Sequence, residues 1–93
     1  KDKIPRDKKK FFDKIVENMK KLYNAGLVHA DLSAFNILNF EDNPIFIDMS
    51  QATVKEHPRA NEYLERDVRN ICAFFNKIGL KVDEKAVLKR IKK

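Results

Sequence analysis

The chain has one cysteine, two glycines, three prolines and no tryptophan in 93 residues. Cys72 has no partner for an internal disulfide, which suits a reducing compartment and sets a cytoplasmic expectation. So little Gly and Pro leaves scant material for long irregular connections. No apolar run approaches the roughly 20 residues that a membrane-spanning helix needs, so no membrane partner is expected. The Lys-rich start lacks a following apolar stretch, which speaks against a secretion signal. There is room for one small domain and none for a second. Such a chain buries roughly 60–65% of its unfolded surface, so modest stability is expected.

The charge is unevenly spread. The net charge is +6 overall. Residues 1–25 carry nine Lys/Arg against four Asp/Glu, and residues 59–93 carry ten against five. Residues 26–58 carry one Lys against five acids. An acidic middle between basic ends suits a cation site with phosphate-rich partners around it. The same pattern also arises when Lys-rich helices present solvated faces.

In chain order, residues 1–10 read as a charged lead-in, frayed at its start. Phe12, Ile15, Val16, Met19, Leu22 and Tyr23 recur at helical spacing, which predicts a helix over 7–25 with one apolar face, stopped by Gly26. Val28 starts a short extended piece, and residues 31–36 are too polar and irregular for a regular element. The apolar runs 37–40 and 44–47 flank Glu41-Asp42-Asn43, which predicts a hairpin. That hairpin would make Asn36 and Asp48 neighbours. Residues 49–56 read as loop, and His57-Pro58 as the entrance to a helix running to about Ile78. Its inward stripe is Ala60, Tyr63, Leu64, Asp67, Val68, Ile71, Phe74, Phe75 and Ile78. A carboxylate inside such a stripe is costly unless it accepts hydrogen bonds or meets a cation, so Asp67 is expected to bind backbone N–H groups of an irregular loop. The alternative places Asp67 at the stripe's edge, reaching solvent beside Arg66. A last helix is predicted over 83–91, capped by Asp83, with Ala86, Val87, Leu88 and Ile91 as its apolar face.

The stretch LVHADLSAFNILNFEDNPIFID, residues 27–48, is the chemical centre. It offers two carboxylates, Asp31 and Asp48, and the carboxamide Asn36. These are hard oxygen ligands of the type Mg²⁺ prefers when phosphate oxygens complete its shell. Each alone reads as a turn or cap residue; together they read as half of a phosphotransfer site. His29 reads as a packed, hydrogen-bonded support, Cys72 as inert packing, and the Phe residues at helical spacing as core.

HADLSAFN followed by IFID resembles the catalytic and metal-binding loops of protein-kinase-like folds, HRDxxxxN and a strand ending in Asp. With IDMSQ and EHPRANEYLERDVRNICAFF added, the string is similar to the RIO family of atypical serine/threonine kinases, of the Rio-one type. The resemblance spans roughly residues 15–76. It implies an α+β, mainly α fold: residues 1–93 as a kinase-like C-terminal lobe with a short β-hairpin carrying the two loops. It implies ATP with Mg²⁺, or Mn²⁺ in its place. It implies Asp31 as the group that orients or deprotonates the acceptor hydroxyl, and Asn36 and Asp48 as metal holders. Asp48 is further implied as acceptor of a transient aspartyl phosphate, a reaction open to a carboxylate nucleophile. Ser33 would stand near the transferred phosphate, Leu38 would floor the adenine, and Ile47 would precede the metal Asp. Asp67 would tie down the catalytic-loop backbone. Small ribosomal subunit precursors, protein and rRNA, are the implied partners.

Departures from ordinary protein kinases are also visible. Ala30 replaces the usual Arg, Ser33 the usual Lys, and only about ten residues separate Asp48 from Pro58, too few for a peptide-docking segment. These favour an ATPase-like switch at least as much as protein phosphorylation. The chain holds no Gly-rich loop and no VAIK-type lysine, so an upper lobe is missing and the 93 residues alone are expected to be inactive. Two other readings stand beside this one: an aminoglycoside- or choline-type kinase lobe, and a non-catalytic basic module for RNA or protein.

Overall fold

A computed structural model describes residues 6–93. The expected fraying of residues 1–5 lies outside the described residues. Helix α1 spans Lys8–Asn24, one residue short of the expected range at each end. Asp7 caps it by accepting the Lys10 N–H at 3.0 Å, and Gly26, at φ 91°, turns the chain out of it. The buried face is Phe11, Phe12, Ile15, Val16 and Met19, while Leu22 and Tyr23 are only partly covered.

After β1 (Leu27–Val28) comes a single 3₁₀ turn over Ala34–Asn36, inside the stretch expected to be irregular throughout. The hairpin forms from β2 (Ile37–Phe40) and β3 (Asn43–Phe46). Its turn has two residues rather than three: Glu41 and Asp42 take φ 52° and 64°, and Asn43 pairs with Phe40. Both central residues in the left-handed region match the strand twist, as in a type I′ turn. Ile47 falls outside the ladder, yet its N–H still reaches the Asn36 carbonyl at 2.8 Å.

Residues 49–56 are not simply loop. A 3₁₀ turn covers Met49–Gln51, and β4 (Thr53–Val54) pairs antiparallel with β1, Val28 opposite Thr53. The pairing continues as Lys55 donates to the Gly26 carbonyl at 2.8 Å. So the segment after Asp48 is tied to the segment before Asp31.

Helix α2 spans Ala60–Lys77, starting two residues after Pro58. The His57 ring accepts the Arg59 N–H at 3.0 Å just ahead of it. Helix α3 spans Glu84–Lys92, with Asp83 accepting the Ala86 N–H at 3.0 Å. Val87 and Ile91 are its buried residues; Ala86, expected on the apolar face, is exposed. Helices α1, α2 and α3 share one core in which Ile15, Val16, Leu32, Val68, Ile71, Cys72 and Ile91 are closed to solvent. At its edge, Asp13 of α1 pairs with Lys9 and with Arg90 of α3, at 2.9 Å and 3.2 Å. This packing fixes α2 beneath the polar loop of residues 29–36.

Candidate functional site

Asp67 lies on the buried face of α2 at 1% exposure, which rules out the solvent-edge alternative. Its two oxygens accept the backbone N–H groups of Ala30 (2.8 Å) and Leu32 (3.0 Å). Burial pushes its carboxyl above the usual carboxylate range, although these two hydrogen bonds and the charge of Arg66 pull the other way. The neighbours of Asp67 on α2 take the matching carbonyls. Arg66 donates to the carbonyl of Ala30, and Asn70 to that of Leu32 at 3.2 Å. The peptide of Asp31 is held from within the loop: its N–H donates to His29 Nδ1 at 3.2 Å, and its carbonyl accepts from Asn36 Nδ2 at 2.5 Å.

All six backbone polar groups of residues 30–32 are therefore bound by side chains. The loop needs no strand or helix ladder of its own, because its backbone is satisfied one group at a time, largely from α2. Ala30 sits at φ 73°, a conformation an alanine rarely adopts unaided. The Asp31 carboxylate, in contrast, is exposed and has no hydrogen-bond or ion-pair partner among the described residues.

His29 joins the two loops. With Nδ1 accepting from Asp31, its proton sits on Nε2, which donates to the Ile47 carbonyl at 2.9 Å. Ile47 in turn donates to the Asn36 carbonyl at 2.8 Å, and the Asn36 side chain returns to Asp31. The chain of contacts Asp31–His29–Ile47–Asn36–Asp31 closes on itself. It brings the three expected oxygen-bearing residues to one place, since Asp48 follows Ile47 directly. The His29 ring is 2% exposed and stands edge-on to Phe46 at 6.3 Å, a support rather than a solvent-facing base.

Asp48 is the first residue past the hairpin, at φ 59° and ψ 63°. A non-glycine residue in this region carries local strain, of the kind that recurs where a backbone must aim a functional group. Its carboxylate is exposed, and Oδ1 accepts from Ser50 Oγ at 2.8 Å. Asn36 bonds the Asp31 carbonyl through Nδ2, and its Oδ1 has no hydrogen-bond partner among the described residues. A carboxylate and a carboxamide oxygen on residues brought together by the Ile47–Asn36 backbone bond are of the type a hard divalent cation takes when phosphate and water complete its shell. No group of three or more His, Cys, Asp or Glu able to hold a metal exists among the described residues, so a self-sufficient protein cage is not what this site offers.

The remaining expected residues divide between the loop and the hairpin. Ser33 is half-buried and caps the 3₁₀ turn, accepting the Phe35 N–H at 3.3 Å. Leu38 is paired with Ile45 across the hairpin, both on its outer face and each 45% exposed. Phe40, 63% exposed, shares that face two residues on. The hairpin thus presents an apolar surface beside the polar loop. Arg66, Asn70 and Ser50 were not singled out by sequence reasoning. The available signal was the placement of Arg66 and Asn70 one residue before and three after Asp67, on the same side of α2.

The sequence model of the RIO domain family matches residues 1–87. The RIO-type serine/threonine-protein kinase Rio1 of Methanocaldococcus jannaschii is 47% identical over 92 residues, covering 98% of this chain and 32% of that protein. Its namesake from Thermoplasma acidophilum is 42% identical over 82 residues, covering 88% of this chain and 44% of that protein. Among solved structures, the Rio2 kinase–ADP/Mg²⁺–phosphoaspartate complex from Chaetomium thermophilum superposes with a TM-score of 0.70 at 26% identity. That match covers 96% of this chain and 31% of the Rio2 chain. The chain spans a third to less than half of the length of these relatives.

Proposed function

The chain belongs to the RIO domain family, and from that premise we propose that it forms the C-terminal lobe of an ATP-dependent phosphotransferase. The observation that carries this reading is the closed contact chain linking Asp31, His29, Ile47 and Asn36, with Asp48 at its edge. Asn36 Oδ1 and the Asp48 carboxylate would hold Mg²⁺, or Mn²⁺, which when bound neutralises phosphate charge. Leu38 and Ile47 contribute apolar surface to the floor of the nucleotide site. Ser33 lies one residue past the loop segment clamped by α2, where a transferred phosphate would pass.

Asp31 orients the acceptor hydroxyl and takes its proton. As the acceptor oxygen forms its bond to the γ-phosphorus, the bond from that phosphorus to the bridging oxygen breaks and ADP leaves. A carboxylate with no other partner among the described residues, on a backbone clamped at every polar group, meets the positioning demand of such a step. A second acceptor is Asp48 itself, a reading favoured by the phosphoaspartate in the related Rio2 complex. In that case an Asp48 oxygen attacks the γ-phosphorus as the bond from that phosphorus to the bridging oxygen breaks and ADP leaves. Water later cleaves the acyl phosphate, restoring the carboxylate and releasing inorganic phosphate. The small-molecule kinase alternative loses ground because a 3₁₀ turn and the short strand β4 fill the path from Asp48 to α2, leaving no inserted substrate-binding segment. The phosphate-pairing lysine and the Gly-rich lid would come from a second lobe. The proposed setting is the cytoplasmic maturation of the small ribosomal subunit, with the basic ends facing RNA.

The test is acid-quenched incorporation of label from γ-labelled ATP by the polypeptide carrying both lobes. Hydroxylamine-sensitive label that disappears in Asp48→Asn supports the aspartyl route. Hydroxylamine-stable label on a protein substrate, lost in Asp31→Asn, supports hydroxyl transfer. Absence of both label and phosphate release contradicts the proposal.

A further inference from the structure

We propose that Arg66 and Asn70 are positioning residues for Asp31, holding the carbonyls on either side of it and so fixing the direction of its carboxylate; this rests on the reading of Asp31 given above. Of the two peptides that flank Asp31, Asp67 reaches one, through the Leu32 N–H; its bond from the Ala30 N–H falls on the peptide before them. A peptide plane gripped at one end can still tilt about that contact, and Asp31 would tilt with it. The 30–31 peptide has its N–H on His29, and Arg66 grips its other end, the Ala30 carbonyl; Asn70 takes the Leu32 carbonyl, one peptide further on. Both peptides flanking Asp31 are thus held at two points, one from α2 and one from within the loop: Arg66 and His29 on the first, Asp67 and Asn36 on the second.

Three further observations single out Arg66. First, Ala30 has φ 73° and no polar side chain to stabilise that conformation locally, so the hold must come from elsewhere. Second, the guanidinium is steadied on another side: it lies 5.4 Å from the Tyr63 ring centroid, and Tyr63 packs on the His57 ring at 5.8 Å. A planar cation held by an aromatic face loses less freedom when it makes its hydrogen bond. Third, both Arg66 and Asn70 are exposed, so neither fills the core.

Amide hydrogen exchange on the ¹⁵N-labelled chain separates positioning from general stability. Arg66→Ala is expected to raise exchange at Ala30, Asp31 and Leu32 by about tenfold relative to the core amides of Ile15, Val16 and Val68. Arg66→Lys, which keeps one donor and the charge, is expected to restore part of the protection, and Asn70→Ala to loosen the Leu32 side. In the two-lobed protein, Arg66→Ala is expected to lower kcat about tenfold with KM for ATP within about twofold of the native value, and Arg66→Lys to recover part of that loss. Native-like exchange at residues 30–32 in both alanine variants overturns the positioning role, as does a loss of protection spread evenly over the core. Loosened residues 30–32 with native kcat overturns the reading of Asp31, and the positioning claim with it.

Discussion

The Asp67 carboxylate accepts the Ala30 N–H at 2.8 Å across 37 residues of sequence, and the helix that carries it is locked into the core by Leu64, Val68 and Ile71. Core packing and site geometry therefore meet in one residue. Asp67→Ala leaves the N–H groups of Ala30 and Leu32 without their acceptors in a buried setting. At roughly 1–3 kcal/mol for each of the two orphaned donors, the expected loss is about 2–6 kcal/mol in urea unfolding. A loss below about 0.5 kcal/mol, the level of an ordinary surface change, contradicts the account.

Asp31 and Asp48 should separate by what they lose. In the two-lobed protein, Asp31→Ala is expected to abolish turnover while sparing nucleotide binding. Asp48→Ala is expected to weaken metal-dependent nucleotide binding as well. Isothermal titration with ADP, with and without Mg²⁺, alongside steady-state turnover checks both; near-normal turnover by both variants rejects the roles.

The α1–α3 seam predicts a pH effect. Burial alone would raise the Asp13 carboxyl, but hydrogen bonds from Lys9 and Arg90 outweigh it and hold the group below its usual 3.8. A depressed carboxylate contributes stability above its unfolded value and loses it as pH falls through the folded value. The difference in melting temperature between the native chain and Asp13→Asn should be constant above pH 3.8 and shrink below it. A difference that grows on acidification contradicts the assignment.

The hairpin turn offers a gain. Asp42 holds φ 64°, where glycine carries no steric penalty. Its contacts through the backbone, the carbonyl accepting from Lys14 and the N–H donating to Asn39, survive substitution. Asp42→Gly is expected to stabilise the chain by a few tenths to about 1 kcal/mol in thermal melts, after the added freedom of the unfolded chain is counted.

Much of this was legible from the residues. The three helices and the hairpin follow from periodicity, caps and turn chemistry, and Asp67 stood out because an acid in an apolar stripe demands partners. What escaped did so for physical reasons. Strands β1 and β4 have two residues each and pair Leu27 with Val54 and Val28 with Thr53, far apart in sequence, so neither carries a local alternation. Asn43 is as competent in a turn as in a strand, and only the left-handed pair Glu41-Asp42 decides its place. Arg66 and Asn70 look like a solvated helix face, and only their placement around Asp67 marks them off from other exposed donors. The left-handed Ala30 is invisible in sequence: its conformation is imposed by partners 36 and 37 residues away.

The central claim is that Asp31, Asn36 and Asp48 serve one cation–nucleotide site. Paramagnetic line broadening on the ¹⁵N-labelled chain tests it directly, with a trace of Mn²⁺ added alongside ADP, because even weak binding broadens nearby amides. Selective loss of the signals from residues 31–36 and 47–50, abolished by Asp48→Asn, is the expected result. Broadening centred on another acidic stretch, such as Glu41-Asp42 or Asp83-Glu84, with residues 31, 36 and 48 untouched, would contradict it.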